Sequence, residues 1–120
     1  MPQSLLIAED DPFMSKMYRL NLQEEGFEVS IAADGQETIA AIEKQKPNLL
    51  LLDLLMPNVD GFEVLKHIKT KGYTFPIIIL SNLSQEIDQQ KCKELGVKDY
   101  FVKSEMDLAD LSSTVKKYLR

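Results

Sequence analysis

The sequence of 120 residues has a single cysteine, a single histidine and no long hydrophobic run. Cys92 alone cannot form an intramolecular disulfide, which fits a reducing compartment, and its helical context predicts inert packing. One cysteine and one histidine do not supply the usual ligand set of a zinc site. The longest apolar stretches have four or five residues, too short to span a bilayer, and no signal-peptide pattern precedes Leu5. These absences predict a cytoplasmic protein without a membrane partner.

Basic residues are fewer than acidic ones, 14 against 19, so the net charge is −5 and the sequence pI is about 4.9. This excess of negative charge disfavours direct binding to nucleic acid or to an anionic membrane. The composition is that of an ordinary globular protein, and the length fits one domain over residues 1–120. There is no linker, repeat or low-complexity tract, and the pattern ends with a helix.

Strand-like and helix-like segments alternate along the chain. The predicted strands cover residues 5–8, 28–32, 49–53, 76–80 and 100–103. Helical patterns of ten to fifteen residues between them imply right-handed crossovers and a parallel sheet. The first, third and fourth strands are continuously apolar and should be central. The second strand alternates apolar and polar residues and the fifth is short, and both features are typical of edge strands. The prediction is a three-layer, doubly wound (βα)5 α/β domain of flavodoxin-like type with sheet order 2-1-3-4-5.

Aspartates precede four helical patterns and are predicted to cap them: Asp11, Asp34, Asp60 and Asp107. For Asp11, which stands before Pro12, capping is a better explanation than metal binding. His67 lies on a helix that starts near Asp60, remote from the strand ends, and is expected to be a surface residue.

Two helices have predicted apolar faces that bear on function. Phe13, Met17 and Leu20 are expected to form the inner face of the first helix. The helix predicted over residues 84–95 has a thin stripe made by Ile87, Cys92 and Leu95. Little burial means low local stability, which suits either an element that shifts between two states or a merely solvent-exposed helix.

A run of four leucines that ends in Asp53 is the most informative motif of the chain. A strand buried on both faces would place Asp53 at the carboxyl edge of the sheet, where open α/β sheets hold their ligands. The alternative is a solvated acid that opens a turn before a proline. The same edge is predicted to receive Glu9 and Asp10 after the first strand, Ser81 after the fourth and Lys103 after the fifth.

Three acids at one edge need a counter-charge. Two carboxylates ~4 Å apart repel by on the order of 4 kcal/mol at an effective dielectric of about 20. The cluster of Glu9, Asp10 and Asp53 should therefore have raised pKa values or recruit a cation, and carboxylate oxygens suit Mg²⁺. Beside Mg²⁺, Asp53 is equipped to accept a phosphoryl group as nucleophile, with Lys103 and Ser81 holding the phosphoryl oxygens.

These residues resemble the receiver domain of two-component response regulators over about residues 5–119. The matching positions are Glu9, Asp10, the segment from Asp53 to Gly61, Ser81, Tyr100 and Lys103. The resemblance implies that a sensor histidine kinase or a phosphotransfer protein donates a phosphoryl group to Asp53 in a Mg²⁺-dependent reaction. It implies as metal ligands Asp10, Asp53 and the backbone carbonyl of Leu55, with Glu9 acting through water.

The resemblance also implies a switch. On phosphorylation Ser81 would move toward the phosphoryl group and Tyr100 would rotate inward. This changes the surface formed by the fourth helix, the fifth strand and the fifth helix, through which a downstream protein partner is controlled. The domain would be a signalling unit rather than an enzyme, although it catalyses its own phosphorylation and dephosphorylation. It would either have no attached output domain or be a receiver piece excised from a longer chain. A monomer or a weak phosphorylation-dependent dimer is expected.

Three departures from the family pattern are visible. Ser104 follows Lys103 where the family usually has a proline joined by a cis bond. Since a cis bond before a residue other than proline costs ~2.5–4 kcal/mol, the loop is expected to be trans and re-routed or locally strained. Asn82 replaces a small residue that usually follows the switch hydroxyl. Leu55 and Leu83 are apolar at positions that in this family influence attack of water on the acyl phosphate.

Other functions remain open at this level. A Mg²⁺-dependent aspartyl-phosphate phosphatase commonly has a second acid two residues after the nucleophile, but Leu55 stands there. A flavin carrier of the same topology would need a hydroxyl- and glycine-rich loop after the first strand, where Glu9, Asp10 and Asp11 would repel a phosphate. A degenerate receiver that acts only as a binding module is the third alternative, and the presence of all the reacting groups argues against it.

Overall fold

The structure is a computed structural model, which describes residues 2–83 and 85–119. Its strands are β1 Ser4–Ala8, β2 Glu28–Ala32, β3 Leu49–Leu52, β4 Ile77–Ser81 and β5 Asp99–Val102. Its helices are α1 Pro12–Glu24, α2 Gly35–Lys44, α3 Gly61–Lys71, α4 Glu86–Glu94 and α5 Leu108–Leu119. Ser84, where the fourth helix was predicted to begin, and the terminal residues Met1 and Arg120 lie outside the described residues.

The five strands form one parallel sheet in the order β2-β1-β3-β4-β5. This confirms the predicted (βα)5 topology, with a switch point between β1 and β3 where the chain winds to opposite sides. The burial of β1, β3 and β4 and the alternating exposure of β2 also follow the prediction. The carboxyl ends of β1 and β3 are therefore neighbours at one edge of the sheet.

Two hydrophobic clusters cover the two faces of this sheet, because successive strand residues point to opposite sides. On one face, Leu6 of β1 and Leu50 of β3 pack in a cluster that includes residues of α2, α3 and α4. On the other face, Leu5 and Leu51 pack in a cluster that includes residues of α1 and α5. The result is the expected three-layer arrangement. Among the described residues, no helix combines the length and apolar character needed to cross a membrane.

The predicted helix caps are confirmed. The carboxylates accept hydrogen bonds from backbone amides in the first turns: Asp11 from Phe13 at 2.9 Å, Asp34 from Glu37 at 2.7 Å, Asp60 from Glu63 at 3.0 Å and Asp107 from Asp110 at 2.8 Å. Three of these helices begin directly after a strand-end loop, so the caps also fix the loops that surround the candidate site.

The predicted inner face of α1 is wrong for two of its three residues. Phe13 is 75% exposed and Leu20 is 50% exposed, while Met17 is only partly buried. The face that packs on the sheet consists of Ser15, Tyr18 and Leu22. Spacing alone did not separate the two faces, because both repeat at three and four residues. The small serine lets the helix approach the sheet, and the tyrosine ring supplies buried area that the prediction assigned to phenylalanine.

The thin apolar stripe of α4 is thinner than predicted. Cys92 is fully buried, Leu95 is partly buried, but Ile87 is 73% exposed. Gln85, at the start of α4, makes no capping hydrogen bond to the described residues. Among the described residues, helix α4 therefore has a single fully buried side chain, and its further contacts to α3 lie at the surface.

Candidate functional site

The carboxyl edge of the sheet brings the predicted site residues together. The Asp53 amide donates to the Ala8 carbonyl at 3.0 Å, so the β1–β3 ladder continues to the first residue of the site. Glu9 directly follows Ala8 and is anchored in turn by its amide, which donates to Ala32 at 3.0 Å. Both carboxylates are consequently held by backbone bonds on rigid strands, and Glu9 and Asp53 are only 3% and 4% exposed.

Three carboxylates meet at this edge. One oxygen from each of Glu9, Asp10 and Asp53 lies within 4.8 Å of the others. The side chain of Lys103 joins them: its Nζ donates to Asp53 Oδ2 at 2.8 Å and forms an ion pair with Glu9 Oε1. Asp11 is not one of these three acids, and its side chain instead caps α1.

Burial and pairing act in opposite directions on these charges. The pKa of Glu9 is raised by burial, although the neighbouring Lys103 amine and the Asp11 amide counteract the effect. For Lys103, burial lowers the pKa but its bonds to Asp53 and Glu9 outweigh burial, so the net pKa is raised. Lys103 therefore stays charged, and it is positioned between a buried acid and the candidate nucleophile.

The donor set fits Mg²⁺. Three carboxylates and one ammonium group leave a net negative charge when all are ionised, and every available side-chain ligand is an oxygen. Asp10 is exposed, so a cation has an open approach. Asp53 Oδ1 accepts from the Leu55 amide at 3.0 Å, which brings the start of the β3–α3 loop to the same edge.

The two predicted switch residues are linked through Leu83, a connection that the sequence analysis did not foresee. Ser81 is fully buried at the end of β4, and its Oγ accepts from the Leu83 amide at 3.3 Å. Tyr100 on β5 donates its hydroxyl to the Leu83 carbonyl at 2.6 Å. Burial raises the pKa of Tyr100 to about 12, so the hydroxyl remains a donor. Tyr100 is half-buried and already bonded to the β4–α4 loop in this structure.

A second tyrosine near the cluster was also missed. Tyr18 of α1 is 1% exposed, and its hydroxyl has no hydrogen-bond partner among the described residues. Burial raises its pKa, and the charges of Lys103, Glu9 and Asp53 all act on it. Helical side chains slant toward the helix N-terminus, which directs this ring toward the acidic edge. The signal in the sequence was the spacing of Ser15, Tyr18 and Leu22, which is that of one helix face.

The remaining predictions concern residues away from the cluster. Burial raises the pKa of the Cys92 thiol to about 11, consistent with inert packing. His67 is partly exposed and lies 2.6 Å from Glu43 between α2 and α3, as expected for a residue outside the site. The bond between Lys103 and Ser104 is trans, and residues Lys103–Glu105 form a short 3-10 helix.

Comparison with known proteins decides the family. Residues 5–116 match the family model described as response regulator receiver domain. The chain belongs to this family. It is 32% identical over 120 residues to the alkaline phosphatase synthesis transcriptional regulatory protein PhoP of Bacillus subtilis, covering 100% of the chain and 50% of that relative. The chain thus spans about half the length of this curated relative.

Solved structures agree with this assignment. A response regulator from Chloroflexus aurantiacus has a TM-score of 0.90 and 32% identity, covering 99% of this chain and 98% of that one. The BeF3-activated N-terminal receiver domain of RstA from Klebsiella pneumoniae has a TM-score of 0.90 and 26% identity, covering 98% of each chain. This receiver domain is a phosphorylation-activated switch of two-component signalling, and receiver domains bind Mg²⁺ at the acidic pocket that Glu9, Asp10 and Asp53 form here.

Proposed function

We propose that Asp53 accepts a phosphoryl group from a histidine kinase or a phosphotransfer protein, and that residues 1–120 act as one receiver unit. The observation that carries the proposal is the position of the Asp53 carboxylate. It is nearly buried at the end of β3, beside two further acids and 2.8 Å from the amine of Lys103. A group with these neighbours is held in one orientation, which is what nucleophilic attack requires.

The transfer balances with a phosphohistidine as the donor and Asp53 as the acceptor. An oxygen of Asp53 attacks phosphorus, the new O–P bond forms as the P–N bond breaks, and the histidine nitrogen keeps the electron pair and takes up a proton. Lys103 then exchanges its contact with Asp53 for one with a phosphoryl oxygen, and the Ser81 hydroxyl donates to another.

Asp10, Asp53 and the carbonyl of Leu55 would hold Mg²⁺, with Glu9 acting through water. When bound, the ion supplies charge neutralisation between the acids and the incoming phosphoryl oxygens. Glu9 has a second task in this proposal, because its carboxylate anchors Lys103 before transfer. The oxygen that Glu9 turns toward the Asp11 amide, at 3.1 Å, keeps its side chain in place.

We propose that the signal travels from Ser81 through Leu83 to Tyr100. If Ser81 turns its hydroxyl to the phosphoryl group, its bond from the Leu83 amide is lost. The Leu83 carbonyl accepts a hydrogen bond from the Tyr100 hydroxyl, so a shift of Leu83 changes the position of Tyr100 on β5. Because α4 follows this loop and is weakly anchored, it is the element that moves at least cost.

The surface that carries the signal outward is proposed to lie on α4, β5 and α5. A groove of about 410 Å³ lies between α4 and β5, and its lining includes Gln90, Lys93 and Tyr100. A downstream protein that contacts this groove would sense any change in Tyr100 directly. The domain is proposed to act on that protein rather than on a small-molecule substrate, and to be a monomer or a weak phosphorylation-dependent dimer.

We also propose that the domain catalyses the loss of its own phosphoryl group, which sets the duration of the signal. Leu55 is 53% exposed next to Asp53, and Leu83 is partly buried above β4. Apolar side chains at these two places offer no hydrogen bond that would orient an attacking water, so a slow hydrolysis is expected.

Intact-mass spectrometry after incubation with acetyl phosphate and Mg²⁺ tests the proposed acceptor. One acid-stable, base-labile phosphoryl group is expected on the unaltered protein and none on Asp53→Asn, which keeps the shape of the side chain. Asp11→Asn is the matched control and should incorporate the phosphoryl group normally. Full incorporation in Asp53→Asn, or none in the unaltered protein, would overturn the proposal.

A further inference from the structure

A single carboxylate joins the start of α2 to the loop that follows β3. Asp34 Oδ1 accepts from the Glu37 amide at 2.7 Å and so caps α2. Its other oxygen, Oδ2, accepts from the Asn58 side-chain amide at 2.9 Å, across 24 residues of sequence. Capping uses only one oxygen, so the bond to Asn58 is an additional contact with its own consequence.

The backbone on both sides of this bond is closely fitted. Asn58 has φ +67°, a left-handed conformation that asparagine adopts more readily than most residues. The next residue, Val59, lies against Gly35, where an added Cβ would be 1.8 Å from the Val59 carbonyl oxygen. The cap residue and the first residue of α2 therefore contact two consecutive residues of the loop. We name this set, Asp34, Gly35, Asn58 and Val59, the loop clamp.

The clamp restrains the far side of the loop that carries Leu55. The near side is tied to the site, because the Leu55 amide donates to Asp53 Oδ1 at 3.0 Å. The Gly61 amide donates to the Leu54 carbonyl at 3.0 Å and closes the base of the loop. Between these anchors Leu55 is 53% exposed, so its own side chain contributes little to holding its carbonyl in place.

We propose that Asn58, through Asp34, is a positioning residue of the Mg²⁺ site, because the loop clamp fixes the direction of the Leu55 carbonyl. The inference rests on the proposed function, in which that carbonyl is a metal ligand. A purely local helix cap needs only the hydrogen bond from the Glu37 amide, so capping does not account for the bond from Asn58. The pKa of Asp34 is lowered, first by the Glu37 amide and then by the Asn58 amide, so the clamp has an ionised acceptor.

Exchange of the two side chains provides a test with matched controls. In Asn58→Asp, two carboxylates face each other where one hydrogen bond stood, so the clamp opens while the side-chain shape is kept. In Asp34→Asn, the cap is retained and the Asn58 amide can turn its oxygen to the new donor, so the clamp stays closed. The double variant restores one donor and one acceptor with the original net charge. Asn58→Gly tolerates the positive φ and removes the contact without adding charge.

Mg²⁺ affinity by calorimetry and amide hydrogen exchange of residues 54–59 without Mg²⁺ are the readouts. Asn58→Asp should bind Mg²⁺ about threefold to tenfold more weakly, less than the loss typical of a direct partner of a metal ligand. The added negative charge alone would strengthen binding, so weaker binding reports the position of the loop. Exchange in the loop should become faster, Asn58→Gly should show the same direction, and the double variant should restore both readouts.

The outcomes separate this inference from the proposed function. Failure of the unaltered protein to bind Mg²⁺ would refute the metal site itself. Unaltered affinity in both Asn58→Asp and Asn58→Gly, with the unaltered protein binding normally, would refute only the positioning role. A double variant no better than Asn58→Asp would show that the bond to Asp34 is not the cause.

Discussion

Lys103 supplies the positive charge that pairs with the buried carboxylates of the unphosphorylated site. Its amine contacts both Glu9 and Asp53, so it occupies the region that a metal ion and a phosphoryl group would share. Lys103→Ala should therefore strengthen Mg²⁺ binding by about fivefold, the equivalent of roughly 1 kcal/mol, because one positive charge leaves. The same variant should lose most of its response to beryllofluoride. A marked fall in Mg²⁺ affinity by calorimetry would contradict the assignment of the amine to the phosphoryl oxygen.

Tyr18 offers a test of the buried surroundings of the site. Since its hydroxyl has no partner among the described residues, Tyr18→Phe removes a desolvated polar group and leaves the ring in place. The free energy of unfolding in urea should stay unchanged or rise by about 1 kcal/mol. A loss of more than about 1 kcal/mol would show that the hydroxyl is bonded in the folded protein.

The residues that gather at the strand ends were predictable from the sequence, although the strand bounds differ by one residue in places, whereas the pairing of their side chains was not. A run of apolar residues followed by an acid identified Asp53, and the same logic gathered Glu9, Asp10, Ser81 and Lys103. The ion pair between Glu9 and Lys103 depends on rotamers that only the packed structure determines. The link between Ser81 and Tyr100 uses the backbone amide and carbonyl of Leu83. Because every residue except proline has both groups, the residue type at position 83 could not predict it.

Among the elements, α1 depends most clearly on its first turn. Asp11 accepts from the amides of Phe13 and Met14, and Pro12 occupies the first helical position. Asp11→Ala should cost about 0.5–2 kcal/mol in denaturant unfolding, with little effect on Mg²⁺ affinity. Asp10→Ala should weaken Mg²⁺ binding and have little effect on the free energy of unfolding, since the Asp10 carboxylate belongs to the acid cluster. Equal losses of Mg²⁺ affinity in the two variants would remove the distinction between cap and ligand.

The hydrogen bonds that Glu43 of α2 makes to α3 and to the residues after it should make the stability of the fold depend on pH in the acid range. Glu43 accepts from His67 at 2.6 Å and from the Tyr73 hydroxyl at 2.9 Å, and these bonds, His67 first, lower the pKa of Glu43 from 4.5. A lowered folded-state pKa means that the carboxylate stabilises the fold above pH 4.5 and that this contribution is lost as pH falls through the folded value.

Glu43→Gln is the variant that isolates this effect. Above pH 4.5 it should be less stable than the unaltered protein in urea unfolding, and the difference should shrink as the pH falls below that value. A difference that stays constant with pH would mean that the charge of Glu43 is not involved.

Element types and order were readable from apolar runs and caps, but orientation was not. Helix α1 was correctly placed, and its inner face was wrongly assigned to Phe13 and Leu20. Two faces of one helix with similar spacing compete, and the choice is made by contact with the sheet, in this case by Tyr18 and Leu22. Tertiary packing therefore decides what periodicity leaves open.

Across the whole molecule, the acid cluster lies at the edge of a well-covered sheet, beside the surface that is proposed to carry the signal. Both faces of the central strands are covered by hydrophobic clusters, which keeps the acid cluster at a rigid edge. Helix α4 contributes one fully buried residue, Cys92, and lies beside Tyr100, the predicted switch residue. A rigid site next to a weakly anchored helix is the arrangement that lets a local charge change have a distant effect. We propose that phosphorylation at Asp53 changes the surface around α4 and β5.

Hydrogen exchange with and without beryllofluoride and Mg²⁺ measures that change directly. The phosphoryl mimic should alter exchange chiefly in residues 85–95 and 98–107, and Asp53→Asn, which lacks the acceptor, should show no such effect. A modest change is expected, because a ligand shifts a two-state equilibrium only by its difference in affinity for the two states. Exchange changes confined to the strand ends, with α4 unaffected, would contradict the account.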